Sequence, residues 1–265
     1  MRPTLFFILL IMGISANSQA QKKTKHPDTT HGYFTVKLMK GDTVANVYSR
    51  TIAYTGDDFL PVVYRVSGSS TYEVVDNNGS NLVFNETDHY DGQPESKAVA
   101  VIGLSGTNSY NGKTFINTSA SGLLYSELIW GPIPTQIEEG DSWEHTITQP
   151  WELGGAGLQV IKVIALDASH QTITLQREGH SKGFFDSDLK QLNITTKDAK
   201  KLKMDVTPGA AHWTGYTTFK NGVVISDELM VTRTITLSAD SLHFDGHQRE
   251  YILLNTMPHK MPGRL

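Results

Sequence analysis

Residues 216–237, YTTFKNGVVISDELMVTRTITL, hold the feature that most restricts how this 265-residue chain can fold. Asn221-Gly222 sits between Phe219-Lys220 and Val223-Val224. A two-residue type I′ turn needs positive φ at both central positions, and Asn-Gly meets that need with little strain. Beyond the turn, Leu229, Val231, Ile235 and Leu237 alternate with Met230, Thr232, Thr234 and Thr236. Successive side chains of a strand point to opposite faces, so one face is apolar, interrupted by Arg233, and the other is largely hydroxylated. The apolar face must be covered. The threonine face meets water or a cavity, which makes Thr232 and Thr234 candidate ligand contacts.

The same period recurs along the chain. Val47–Tyr54, Val62–Val66, Tyr72–Val75, Leu82–Phe84 and Lys97–Leu104 read as strands, with Asp76-Asn77-Asn78-Gly79 as a turn. Val160–Leu166 and Thr172–Leu175 flank Asp167–His170 as a hairpin. Phe34, Val36 and Leu38 alternate with Thr35 and Lys37 and read as an opening strand before the Lys40-Gly41-Asp42 turn. Tyr251–Leu254 reads as the last strand, with Asp245-Gly246 as a turn before it. Helix signals are confined to a turn or two at Asp186–Leu192 and Lys197–Lys203. The expected class is all-β: an antiparallel meander forming a sandwich or a full or half barrel, with very little helix.

The first residues carry a different pattern. Arg2 precedes the apolar run Leu5–Met12, and Ser18-Gln19-Ala20 resembles a cleavage site. Residues 1–20 are expected to be a signal peptide, residues 21–31 a flexible leader, and residues 32–265 a β-rich domain. Two packed β units with a boundary near 103–140 would satisfy the pattern as well. The apolar run is shorter than the ~20 residues a spanning helix needs, so no transmembrane span is expected in the mature chain. The expected location is the periplasm or the cell exterior. The chain has no cysteine, which rules out disulfides and a lipid-bearing cysteine at the cleavage site. With 23 basic and 27 acidic residues and no basic stripe, nucleic acid is not an expected partner.

Residues 140–157, GDSWEHTITQPWELGGAG, concentrate aromatic and ionisable side chains. Gly140-Asp141 makes a turn, and Ser142–Ile147 reads as a strand with Trp143, His145 and Ile147 on one face. Pro150 ends it, because proline donates nothing to a ladder. Trp143 and Trp151 either fill a core, where such a ring buries about 150–250 Å², or stack on a ligand. They join Thr232 and Thr234 as candidate ligand contacts.

The common catalytic signatures are missing. No G-x-S-x-G, H-E-x-x-H, G-x-G-x-x-G or phosphate-binding P-loop pattern occurs. His243 and His247 flank Asp245 as the nearest approach to a metal pattern, yet a turn there leaves them exposed. No catalytic residue, metal or cofactor is therefore assigned. The carboxylate pairs Glu138/Glu139 and Asp186/Asp188, with Glu228, leave a secreted carbohydrate-active hydrolase open. The preferred reading is an exported, non-catalytic β-rich protein that binds an apolar or glycan ligand in a cavity or on a sheet face. Lipid, glycan and peptide are the ligand classes considered; a purely structural envelope component is a further alternative. The cysteine-free meander with its Asn-Gly hairpin is similar in pattern to half-barrel proteins of bacterial envelopes that carry lipids or lipoproteins. That resemblance implies a curved sheet with an apolar concavity and assigns no site residue.

Overall fold

The structure, a computed structural model, describes residues 30–103, 105–116, 119–148, 151–181 and 190–259. It is nearly all β, with the strands forming one antiparallel sheet. The first six strands make a meander: β1 (Thr43–Gly56), β2 (Val62–Asn77), β3 (Asn81–Tyr90), β4 (Ser96–Gly103), β5 (Thr107–Tyr110) and β6 (Lys113–Ile116). The chain then crosses to the opposite edge, passing a one-turn helix α2 (Glu127–Trp130), and resumes with β7 (Ser142–Ile147), β8 (Gly157–Asp167) and β9 (Thr172–Ser181). β10 (Gln191–Thr195) pairs only with β11 (Lys201–Lys220), which leads into β12 (Val223–Ala239) and β13 (Leu242–His259). The spatial order is β6-β5-β4-β3-β2-β1-β13-β12-β11-β9-β8-β7. The last strand thus lies beside the first, from Thr43 opposite His259 to Gly56 opposite Gly246. Among the described residues β6 and β7 end the sheet, which is not closed into a barrel.

One face of the sheet, here called inner, carries the core. Against β8, β9 and β11–β13 pack the one-turn helix α1 (Thr30–Phe34), the 120–130 segment and Trp151–Leu153. Phe34 and Tyr125 meet with ring centroids 4.7 Å apart, and Phe219 touches Phe34 edge-on at 5.3 Å. A second cluster joins Val44, Tyr72, Val74, Leu82, Phe84 and Ala100 to Leu123 and Leu124. A third surrounds Phe59 with Tyr54, Leu192, Ile194, Met204, Ile235 and Leu237. Each fully buried Leu, Ile, Val or Phe side chain contributes about 1.5–3 kcal/mol, so these clusters supply the main driving force for closing the inner face.

The Asn-Gly turn forms with φ of 49° at Asn221 and 78° at Gly222. Its tip is not free. Asn221 N–H donates to the Gln171 carbonyl at 3.0 Å, Gly222 N–H to Tyr33 at 2.9 Å, and Val224 N–H to Leu123 at 2.8 Å.

Three local expectations are corrected. Phe34 closes α1 and is 1% exposed, and Val36 and Leu38 join no strand; their apolar side chains pack on the second cluster without a ladder partner. Asp245-Gly246 is not a turn but lies within β13, opposite Thr236 and Ile235. A glycine inside a strand often marks close packing, and here a Cβ on Gly246 would sit 2.7 Å from the Thr55 carbonyl. The actual turn comes at Asp240, which takes φ of 50°. Lys197–Lys203 forms a turn and the start of β11 rather than a helix. Of Asp186–Leu192, residues 186–189 lie outside the described residues, and Leu192 is in β10. Residues 1–20 and most of 21–31 also lie outside them. Among the described residues no helix is long and apolar enough to cross a membrane.

Candidate functional site

Between the apolar clusters, the inner face carries polar side chains. In β3 the alternation that buries Leu82 and Phe84 continues into Glu86, Asp88 and Tyr90. Register puts Tyr72 of β2 opposite Glu86, and Ser70 opposite Asp88. Asn46 and Tyr48 of β1, and Asn108 and Tyr110 of β5, extend the same face. The 119–126 segment crosses above them. The result is a cleft of about 370 Å³, with hydroxyls, amides and carboxyls on its floor and aromatic rings along its walls. Tyr110 and Phe115 stack at 5.3 Å, and Phe115 and Tyr90 remain 40% and 38% exposed at the rim.

Glu86 is the electrostatic centre of the cleft. It is 4% exposed, and among the described residues its Oε2 has no hydrogen-bond partner. Burial, then the charge of Asp88, pushes its carboxyl up to about 7, while hydrogen bonds from Tyr72 and Tyr110 pull the other way. Asp88 accepts a hydrogen bond from the Ser70 hydroxyl. Burial, followed by the charge of Glu86, raises the phenols of Tyr72 and Tyr110, which therefore stay protonated donors. A carboxyl that titrates near neutrality both donates and accepts, and the phenols around it do the same.

The wall over this floor is held by buried and half-buried ion pairs. Arg177 of β9 is 0% exposed; its Nη2 donates to Asp227 of β12 at 2.8 Å, and its Nη1 to the Ala120 carbonyl at 2.7 Å. The Ser121 hydroxyl donates to the same Asp227 carboxylate. Ala120 N–H donates to Glu152 at 2.7 Å, and Glu152 accepts from Arg50. Arg50 also pairs with Glu250 of β13 at 2.6 Å. Burial raises Glu250 against the pull of Arg50, and burial lowers Arg233, whose Nη2 donates to the Leu153 carbonyl at 3.0 Å. Charges so deep persist only when paired and hydrogen-bonded, and each partner here anchors a loop that the sheet alone would not hold.

The four sequence-derived candidates separate into two groups. Trp151 is 3% exposed and meets Trp213 edge-on at 4.9 Å. Trp143 is half-buried at the core margin, and its indole N–H donates to the Trp130 carbonyl at 3.0 Å. Neither ring lines the cleft. Thr232 and Thr234 lie together on the opposite, outer face of the sheet, in a hollow of about 550 Å³ shared with Thr55, Ala210, His212, His247 and Arg249. The hollow lies beside the irregularity in β11 between Pro208 and Ala211, where the ladder with β12 slips register. His243 is not part of it, and the described residues contain no group of three or more metal-ligating side chains. Glu228 is on the outer face, accepting from the Tyr251 hydroxyl at 2.6 Å, and Glu138 sits in the exposed turn before β7. Asp186 and Asp188 lie outside the described residues.

Sequence reasoning missed Glu86, Asp88, Tyr72 and Tyr110. A signal was present: in 81-NLVFNETDHY-90 the period of two carries the buried face from Leu82 and Phe84 onto both acids.

No family model matches the chain, and no curated protein matches it. Among solved structures, lipovitellin, described for its lipid–protein interactions, aligns with 86% of this chain at 9% identity and a TM-score of 0.40. The chain spans about a quarter of that structure's length, 26%. An outer membrane channel from Pseudomonas putida F1 aligns with 84% of this chain and 98% of its own, at 8% identity and a TM-score of 0.21.

Proposed function

We propose that this is an exported binding protein that holds a glycan unit in the inner cleft. One observation carries the reading: the buried Glu86 carboxyl, whose Oε2 has no hydrogen-bond partner among the described residues, lies on the floor of a 370 Å³ cleft, flanked by Tyr72 and Tyr110 and rimmed by Tyr90 and Phe115. A sugar ring offers hydroxyls that need both donors and acceptors, and C–H faces that pack on aromatic rings. The floor meets the first need and the rim the second. Binding pockets of about 300–1,000 Å³ with a few convergent polar groups have this character. An acyl chain is less suited, because burying it here would leave Glu86 Oε2 with neither water nor a partner.

The carboxyls of Glu86 and Asp88 interact directly with one another. Both stand side by side on one face of one strand, rather than facing each other across a cleft as the two acids of a glycosidase do. The Arg2, Leu5–Met12 and Ser18-Gln19-Ala20 pattern supports the exported part of this reading.

The test is calorimetric titration of the chain with a panel of soluble mono- and disaccharides, neutral, acidic and N-acetylated. Saturable binding that Glu86→Gln and Tyr72→Phe each weaken about tenfold supports the reading, as the loss of one charge-assisted or buried hydrogen bond predicts. Displacement of a fluorescent fatty acid from the cleft, with no saccharide bound, would replace it with a lipid carrier.

A further inference from the structure

We infer that the outer hollow is a second binding site, independent of the inner cleft, and that it takes a tetrahedral oxyanion of the phosphate type. The argument starts from register. Across neighbouring strands of the outer face, His212 of β11 stands opposite Thr232 of β12, and Thr232 opposite Arg249 of β13. One row along, Thr234 stands opposite His247. The Cβ atoms of directly opposite residues lie about 4.5–5.5 Å apart, and a guanidinium, two imidazoles and two hydroxyls line one hollow. The bulge in β11 at 209–210 makes the depression they surround.

The charge balance of the hollow is one-sided. Among the described residues no carboxylate lines it, although the chain carries more acids than bases. Among the described residues the side chains of Arg249, His212 and His247 form no ion pair or hydrogen bond; His212 only stacks on His180, at 6.1 Å. The nearest acids on this face stand outside the hollow. Glu178 is opposite Thr214, and Asp245 accepts a hydrogen bond from Thr236. The Arg249 guanidinium beside hydroxyl and imidazole donors, with no carboxylate among them, matches an anionic ligand rich in acceptor oxygens. Phosphate is such a ligand, and a guanidinium fits two of its oxygens at once. The groups stand on adjacent strands of a continuous ladder, so little ordering is needed on binding.

The same chemistry is offered by free phosphate, by a phosphorylated small molecule and by a phospholipid headgroup. The experiment separates them. The chain, labelled with ¹⁵N, is titrated with inorganic phosphate and with glycerol 3-phosphate at constant ionic strength, using chloride as the comparison salt. In a parallel arm it is floated with vesicles of phosphatidylcholine, with and without phosphatidic acid. Saturable shifts confined to residues around His212, Thr232, Thr234, His247 and Arg249 are expected. Arg249→Ala should weaken binding at least tenfold, and Thr232→Val severalfold. Lys220→Ala, which removes an exposed cation elsewhere on the same face, should leave it unchanged. Flotation that depends on phosphatidic acid and on Arg249 would assign the oxyanion to a lipid; shifts with the soluble phosphates alone would assign it to a free ligand. The proposal is overturned if neither arm shows saturable binding, if chloride produces the same shifts, or if Arg249→Ala binds as the native chain does. Arg249 is exposed, so its variant should fold, and an unchanged thermal melt verifies this.

Discussion

Arg177 and Asp227 meet across the middle of the sheet, one on β9 and the other on β12, with Nη2 donating to both carboxylate oxygens at 2.9 and 2.8 Å. The strand between them, β11, places Gly215 opposite Arg177. The Thr217 hydroxyl donates to the same carboxylate, and the guanidinium lies 4.9 Å from the Trp130 ring. Removing one member leaves the other buried and uncompensated. Asp227→Ala should cost about 3–5 kcal/mol in chemical denaturation, and Arg177→Met/Asp227→Leu should lose less than Asp227→Ala alone. Equal losses would show that the pair is not the anchor described here.

The buried Glu86 carboxyl makes stability depend on pH. The Glu86 carboxyl titrates at about 7 in the folded chain, against an ordinary value of 4.5. Between those values the folded state holds a proton that the unfolded state has released. Stability contributed by this group is therefore complete below the unfolded value and declines as pH rises through the folded one, from about 5 to about 8. The loss is about 1–2 kcal/mol, because solvent at the mouth of the cleft screens part of the charge. Urea melts at about pH 5 and about pH 8 measure it. Glu86→Gln should flatten the difference, and a native chain equally stable at both would contradict the burial of this group.

Trp151 and Trp143 should respond differently to truncation. Trp151 is sealed against Trp213, so Trp151→Ala should cost about 3–5 kcal/mol, as other large-to-small core changes do. Trp143 is half-buried and keeps one indole hydrogen bond, so Trp143→Ala should cost about 2 kcal/mol, from partial burial and one lost bond. Thermal melts of the two variants side by side settle the ranking.

Gly222 serves two purposes at once. Its φ of 78° belongs to the turn, and a Cβ there would fall 2.5 Å from Val36 N and 2.7 Å from the Phe34 carbonyl. Gly222→Ala should therefore exceed the roughly 1–2 kcal/mol that left-handed strain alone costs, and it should loosen α1. Hydrogen exchange at Gly222 and its neighbours, measured beside the melt, reports both effects.

What was legible in the sequence was local. The Asn221-Gly222 hairpin and the Val160–Leu175 hairpin follow from turn chemistry and period, and both form as read. The order of strands was not legible, because the pairing of β13 with β1 joins residues with most of the chain between them and no local signal marks it. The cleft was hidden for a different reason. A rule that assigns apolar residues to the inner face discards Glu86, Glu250 and Arg177 as surface positions, and these are polar groups the fold buries. Thr232 and Thr234 could be placed on a shared face because their own strand alternates cleanly, whereas their companions Arg249 and His247 come from the next strand. Gly246 misled because glycine signals a turn by composition, while here it makes room for Phe59.

The pairing of β1 with β13 also says something about how this molecule comes into being. Its geometric centre is the ladder between β1 and β13, far apart in the chain, so the backbone pairing that joins the two halves of the sheet is missing until β13 has been made. Such long-range closure favours slow, late, all-or-none folding. A truncation of β13 would then do more than shorten the product: it would leave two sheet borders exposed to a neighbouring chain, so that release of the last segment decides between a monomer and an aggregate.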